Sequence, residues 1–131
     1  MTLRDVGDYV ASLGIADRVY MGMLPNKPDR AIGVYNDRQQ HSYRVPIGGP
    51  ELESYGTKYV TLLVHWNQSP GETEEAEREL FKALCETWDV TINNEKIKWI
   101  QPLYEPQDVG PDEGSIFEMV IEVAVIFEKK G

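Results

Sequence analysis

The run from Phe117 to Phe127 constrains the fold of this sequence more than any other segment. Its apolar residues occupy every second position, and glutamates stand on the opposite face at Glu118 and Glu122. This alternation is typical of a β-strand with one buried face. At roughly 3.3 Å per residue the strand would reach about 40 Å, beyond the usual length of a strand. We therefore expect either a bend in it or a far end that pairs with something outside the domain.

A strand followed by a capped helix is predicted in the middle of the chain. Residues from Lys58 to Trp66 alternate in the same way. Ser69, Pro70 and Glu72 then provide a cap, a first-turn proline and a capping-box partner, which are three separate signals of a helix start. The apolar positions that follow recur every four residues or flank that stripe: Ala76, Leu80, Leu84, Trp88, Phe81 and Cys85. They predict an amphipathic helix with one broad apolar face.

Three further elements are indicated by caps, composition and turns. Thr2 and Asp5 stand at the two capping-box positions of a first helix. Residues Arg30 to Asn36 have the composition of a strand. The Asn93–Asn94 pair supplies a turn that tolerates positive φ, so residues 89–103 are predicted to form a hairpin.

Two segments carry no sustained period. Residues 37–56 are either a functional loop or the site of a hidden short strand from Tyr43 to Ile47, and the sequence favours neither. Residues Gln107 to Ser115 have the composition of a loop. The carboxylates of this second segment lack the spacing of an EF-hand calcium loop, so a solvated loop is expected.

The order of these elements is helix, strands, helix, hairpin and long strand. The economical architecture for this order is an α+β fold in which an antiparallel or mixed β-sheet is covered on one face by two α-helices. A chain of 131 residues has the size of one domain, and no linker or repeat divides it, so we expect a single domain over residues 1–131. No apolar run reaches the roughly 18 residues that span a bilayer, and the N-terminus lacks a signal-peptide pattern. We expect no membrane partner and a location in the cytoplasm of the cell that makes the protein.

The formal net charge of −9 argues against nucleic acid as a direct partner. An acidic surface repels phosphate over about one Debye length, roughly 8 Å at physiological salt. Sequence-specific recognition of nucleic acid is therefore not expected.

No catalytic, cofactor or metal site is predicted. His41 and His65 are the two histidines, and neither has a cysteine or carboxylate at the local spacing of a metal site. We expect His65 to be a surface or interface residue. Cys85 is the single cysteine, which excludes an intrachain disulfide, and a buried, inert thiol is expected. Nucleophile-elbow and phosphate-loop motifs do not occur in the sequence.

Three stretches, in this order and spacing, resemble one known family. They are VYMGMLPNKPDRAIGVYN, KYVTLLVHWNQSPGETEEAERELFKAL and LYEPQDVGPDEGSIFEMVIEVAVIF, and together they span nearly the whole chain. Their most telling features are Leu24 and Pro25 before the Arg30 to Asn36 strand, and the Pro106 to Glu113 stretch before the long final strand. The chain is similar to the minor capsid or tail terminator proteins of long-tailed bacteriophages and prophages.

The resemblance implies a structural protein of the head-tail junction of the virion, with no enzymatic activity and no cofactor. Such a subunit forms a ring, commonly a hexamer, on the tail tube, halts polymerisation of the tube and joins it to the head. The implied partners are copies of itself, the tail tube protein and the head connector or completion protein. Each subunit of a ring uses two different patches, one for each neighbour. We expect those patches among ten residues of the irregular segments: Met21, Met23, Leu24, Tyr43, Val45, Ile47, Asp108, Val109, Asp112 and Glu113.

Other functions compete with this interpretation. Related neck proteins, such as head-completion proteins and stoppers, share small size and ring assembly. A small-molecule binding module would show an apolar pocket between the sheet and the helices. An enzyme assembled from scattered carboxylates would show a buried cluster of Asp or Glu with perturbed titration.

Overall fold

The computed structural model describes residues 1–24, 30–37 and 55–129. Within these ranges the elements are α1 (Leu3–Ser12), β1 (Arg18–Met21), β2 (Ala31–Asn36), β3 (Tyr55–His65), α2 (Pro70–Cys85), β4 (Trp88–Ile92), β5 (Glu95–Pro102), β6 (Gln107–Pro111) and β7 (Phe117–Glu128). The strands form one sheet in the order β1-β2-β3-β7-β5-β4, and β6 pairs with β7. β1 runs parallel to β2, and the other neighbours are antiparallel. The predicted α+β fold with a mixed sheet is confirmed. Neither helix of these ranges is long and apolar enough to cross a membrane.

α1 begins with a complete capping box, as predicted. The Thr2 hydroxyl accepts a hydrogen bond from the backbone N–H of Asp5 at 3.1 Å, and the Asp5 carboxylate accepts one from the backbone N–H of Thr2 at 2.8 Å. Each side chain thereby satisfies an N–H that has no acceptor inside the helix. The other Asp5 oxygen accepts from the side-chain amide of Asn93 at 3.0 Å. This bond ties the start of α1 to the turn between β4 and β5.

Replacing Asp5 with alanine is expected to lower the free energy of unfolding by about 1–2 kcal/mol at pH 7, because a cap and a tertiary hydrogen bond are lost. Burial raises the pKa of Asp5, but the hydrogen bonds from Thr2 and Asn93 lower it more, so that the pKa lies below its ordinary value of 3.8. The carboxylate therefore contributes stability that is present above pH 3.8 and is lost as the pH falls through the lower pKa of the folded state.

Urea denaturation of the wild type and Asp5→Ala, repeated from pH 7 toward pH 3, measures this difference. The gap between the two proteins should narrow in acid. Asp5→Asn keeps an acceptor oxygen without the charge, so its stability at pH 7 should fall between the other two. A gap that stays constant over the whole pH range would contradict a contribution from the charge.

α2 begins at the residue that the sequence predicts. The Ser69 hydroxyl accepts a hydrogen bond from the backbone N–H of Glu72 at 3.3 Å, and Pro70 is the first helical residue. Asn67 completes the cap: its oxygen accepts from the Ser69 N–H at 2.9 Å, and its amide donates to the Glu72 carboxylate at 3.0 Å. The helix start is thus fixed by side chains on both sides of the cap.

The end of α2 corrects two predictions. The helix ends at Cys85, and Trp88 belongs to β4 rather than to the apolar stripe of the helix. Thr87 is buried, and its hydroxyl lies 2.7 Å from the Tyr9 hydroxyl of α1. The next residue, Trp88, is 66% exposed. Cys85 is exposed rather than buried, because it stands about 100° around the helix from the buried Leu84.

Both helices cover the same face of the sheet, as predicted. On β3 and β7 the residues of this face are direct cross-strand partners: Val60 with Val123, Leu62 with Ile121, and Val64 with Met119. They form one buried cluster with the inward residues of the helices, which are Val6, Tyr9, Val10, Ala76, Leu80 and Leu84. Burial of this apolar surface is the main stabilising contribution to the fold.

β7 lies in the middle of the sheet, so pairing of its far end outside the domain, one of the two expectations for this strand, is wrong. On one side it pairs with β3 from Glu118 to Glu128. On the other side β5 pairs with the segment from Val123 to Phe127, and β6 pairs with the segment from Phe117 to Val120. The far end of β7 is therefore paired inside the chain, and the strand offers no edge to another subunit.

Two short strands lie where the sequence predicts none. β1 pairs in parallel with β2, and Gln107–Pro111 of the predicted loop forms β6. Both strands are held by backbone hydrogen bonds to a neighbouring strand. Such bonds do not require apolar and polar side chains to alternate, so the sequence pattern does not reveal these strands. In β6 a bulge at Val109, followed by Gly110 at φ +80°, also breaks the period of two. The short strand considered for Tyr43 to Ile47 lies outside the described residues.

Candidate subunit interface

The end of β1 forms an exposed, apolar edge of the sheet. Met21 is 45% exposed and Met23 is 80% exposed. Met21 also packs against α1. Its sulfur lies so close to Gly7 that a Cβ at that position would stand only 2.9 Å from it. Leu24 is half-buried over Gly33. Of the predicted interface residues at this edge, Met23 is therefore the most available, whereas Met21 also packs within the subunit.

β6 presents a second exposed edge, on the other flank of β7. Val109 is the extra residue of the bulge and is 55% exposed. The Asp108 carboxylate accepts from the backbone N–H of Gly110 at 2.8 Å, which holds the bulge in shape. Asp108 and Glu113 are exposed, as the sequence predicts for a solvated segment.

The two edges lie on opposite sides of the sheet. One row of Cα partners connects them, from Arg18 on β1 through Ala31, His65 and Glu118 to Gly110 on β6. Four strand spacings of about 4.8 Å separate the ends of this row, or roughly 19 Å. The structure thus divides the predicted interface residues between two separate edges. The remaining three lie outside the described residues: Tyr43, Val45 and Ile47.

Sequence spacing missed a cluster of titratable side chains on the open face, which is the face of the sheet opposite the helices. His65 on β3 and Glu118 on β7 are cross-strand partners, and His65 Nδ1 lies 2.8 Å from Glu118 Oε2. The same nitrogen lies 3.9 Å from Asp112 Oδ2. His65 is 2% exposed, so it is buried in the subunit rather than at the surface. The alternation of side chains along each strand is compatible with His65 and Glu118 on one face. Their contact depends on the register of the β3–β7 ladder, which the sequence pattern does not give.

Tyr35 lies beside this cluster. Burial raises the pKa of the Tyr35 hydroxyl, and the negative charge of Glu118 raises it further. Tyr35 therefore stays neutral near this carboxylate.

A groove of about 480 Å³ lies at the end of α2 and along the β4–β5 hairpin, with Trp88 and Trp99 among its walls. It lies at the margin of the helix layer, and its walls come from one helix end and two strands. Cys85 lines it, and burial raises the pKa of this thiol, as do the charges of Glu86 and Glu105. Since the thiolate is the reactive form, the raised pKa lowers the reactivity of this exposed thiol.

Two carboxylates are buried in the described part of the chain, Asp5 and Glu77. They belong to different helices. Burial raises the pKa of Glu77 and Arg78 lowers it, whereas Glu74 and Glu105 raise it. Asp5 is already engaged in its cap.

The comparison with known families agrees with the resemblance seen in the sequence. A family model described as bacteriophage tail terminator protein matches residues 3–129, which include every described helix and strand. None of the curated proteins matches the sequence. The chain therefore belongs to the bacteriophage tail terminator family, whose members are structural proteins of the virion tail that act in assembly with tail and head components.

Proposed function

We propose that the protein closes the tail tube as a ring of identical subunits, commonly a hexamer, and joins the tube to the head connector. The family match supports the place in the tail. One structural observation carries the ring: exposed apolar residues lie on two opposite edges of the same sheet. A subunit that contacts two neighbours through two different surfaces gives a closed ring when the rotation between them closes.

The chemistry of the two edges supports their contact. Met23 at the β1 edge and Val109 at the β6 edge are 80% and 55% exposed, so contact would remove apolar surface from water on both sides. Within the described residues, β1 ends the sheet and β6 pairs with β7 alone. A strand at the edge of a sheet can pair with a strand of another subunit.

Charge also matches across the proposed contact. Arg18 is an exposed cation on β1, and Asp108 is an exposed carboxylate on β6. Opposite charges on the two edges favour the β1–β6 contact over contacts between two like edges, which would bring equal charges together. The edges are thus suited to a head-to-tail arrangement rather than to a twofold dimer.

The rest of the proposed function follows from the ring. Such a ring acts by contact and needs no catalytic group or cofactor. It would form in the host cytoplasm on the tip of a growing tail, and it would remain in the virion between tube and head. The net charge of −9 per chain would also let DNA pass through without binding to the protein.

The test is the mass of the purified protein, measured by light scattering and native mass spectrometry from micromolar concentration upward. We expect a closed ring of about six subunits. Met23→Asp and Val109→Asp should each abolish the ring, because each places a charge in one of the two contacts. Trp88→Asp is the matched control: it alters an exposed apolar residue on β4, at another edge, and should leave the ring intact.

Mixing the two variants tests the direction of the contact. Met23→Asp keeps an intact β6 edge, and Val109→Asp keeps an intact β1 edge, so an equimolar mixture has one good contact and should give dimers that cannot close. A wild type that remains monomeric at every concentration would count against self-assembly. Loss of the ring in Trp88→Asp, but not in the other two variants, would place the contact on the wrong edges.

A further inference from the structure

We propose that His65, Asp112 and Glu118 bind one divalent transition-metal ion on the open face of the sheet, with Zn²⁺ as the probe. One candidate ligand atom from each residue lies within 4.8 Å of the other two. The ligands come from β3, from the turn after β6 and from β7, so the ion would fasten that turn to the sheet. The proposal does not depend on the ring, and it departs from the expectation of no metal site that local sequence spacing supports.

The distances in the cluster suit a small ion. His65 Nδ1 lies 2.8 Å from Glu118 Oε2 and 3.9 Å from Asp112 Oδ2. Zinc bonds of roughly 2.0–2.2 Å place neighbouring ligands of a tetrahedral ion roughly 3.3 Å apart. The two observed distances lie on either side of this value. The third pair, the two carboxylate oxygens, is separated by no more than 4.8 Å, so rotation of the Asp112 and Glu118 side chains toward each other would complete the site.

The carboxylates are already held in place by the fold. Asp112 accepts the backbone N–H groups of Gly114 and Ile116 with the same oxygen, Oδ1, at 2.8 and 2.9 Å. Its second oxygen is the one that faces His65. Glu118 stands directly opposite His65 in the β3–β7 ladder. The side chains of His65, Asp112 and Glu118 are 3%, 18% and 17% exposed, so the site is largely screened from water.

The donor set selects the class of metal. An imidazole nitrogen with two carboxylates suits Zn²⁺ and its neighbours, whereas Mg²⁺ and Ca²⁺ favour sites made of oxygen ligands. Three protein ligands and one water complete a four-coordinate zinc ion. Without the ion, His65 Nδ1 and Glu118 Oε2 share a hydrogen bond. Metal binding would replace the shared proton, so the cluster is compatible with both states.

Calorimetric titration of the chelator-treated full chain with ZnCl₂ near neutral pH tests the proposal, together with thermal unfolding. We expect one Zn²⁺ per chain and a higher unfolding midpoint, because the ion binds only the folded protein. MgCl₂ should give neither effect. Asp112→Asn keeps the oxygen that accepts the two turn N–H groups and loses the oxygen that faces His65, so it should fold and bind zinc at least about tenfold more weakly.

Glu113→Gln is the matched control, since it removes the same charge from an exposed neighbour in the same turn. It should bind zinc as the wild type does. Glu118→Gln, which still offers His65 an acceptor oxygen, should lose affinity as Asp112→Asn does. The absence of both heat and midpoint shift with ZnCl₂ would overturn the proposal and leave the cluster as an ion pair. Equal losses in Glu113→Gln and Asp112→Asn would overturn it as well, because they would indicate diffuse binding to an acidic surface.

Discussion

Replacing Leu62 with alanine is expected to lower the free energy of unfolding by about 3–4 kcal/mol. Leu62 is fully buried in β3, where its cross-strand partners are Val34 on β2 and Ile121 on β7. Truncation removes apolar burial and leaves a cavity, and the hydrogen-bonded strands on both sides cannot move in to fill it. Such substitutions cost about 2–5 kcal/mol. In a domain of this size, the thermal midpoint should fall by roughly 10 °C.

The neighbouring residue supplies the control. Leu63 points to the open face, is only half-buried, and lies between Gly33 and Val120. Leu63→Ala changes the same atoms and should cost less than about 1.5 kcal/mol, because less apolar area leaves contact with the protein. Urea unfolding followed by circular dichroism measures both variants. Equal losses would mean that the two faces of β3 are not buried as the structure places them.

The second large effect is expected at Trp99, where alanine should cost about 2 kcal/mol. The indole of Trp99 is half-buried and stacks on Trp88, with ring centroids 6.2 Å apart and an interplanar angle of 22°. Tyr55 lies on another side of it at 6.5 Å and 57°. Complete burial of a tryptophan is worth about 3–5 kcal/mol in such substitutions, and aromatic pairs add about 0.5–1.5 kcal/mol each. Because Trp99 is only partly buried, the expected loss of stability is about 2 kcal/mol rather than 3–5 kcal/mol.

Trp88 tests whether position, rather than residue type, decides this loss. It is 66% exposed and belongs to one of the two aromatic pairs, so Trp88→Ala should cost less than about 1 kcal/mol. Equilibrium unfolding of the two variants, side by side, gives the comparison. A larger loss for Trp88 than for Trp99 would contradict the order of burial in this cluster.

The sequence predicts the elements whose signals are local. The capping residues of both helices are adjacent to the turns that they stabilise, and the alternation of β3 and β7 lies within each strand. Asn93 and Asn94, at φ 52° and 63°, form the turn that their preference for positive φ indicates. The helix boundary at Cys85 is missed, because the stripe continues to Trp88 in sequence while burial of Thr87 redirects the chain.

The candidate sites depend on contacts that no local pattern contains. Apolar residues in irregular segments indicate Met23 and Val109 as exposed, but only the strand order places them on opposite edges. His65 and Glu118 meet because of the β3–β7 register. Asp112 joins them because it lies in the turn after β6, and the sequence of β6 does not predict a strand. Order and register are set by packing of the whole chain, so these juxtapositions require the structure.

The central position of β7 bears on how the protein is made. All strand pairing between the β1-β2-β3 side of the sheet and the β5-β4 side passes through β7, which is the last strand of the described chain. The two sides cannot join until the ribosome has released this strand, and pairing over such a sequence distance is slow. A nascent or prematurely terminated chain therefore has no finished sheet. A chain that stops before β7 would thus also lack the strand with which β6 pairs.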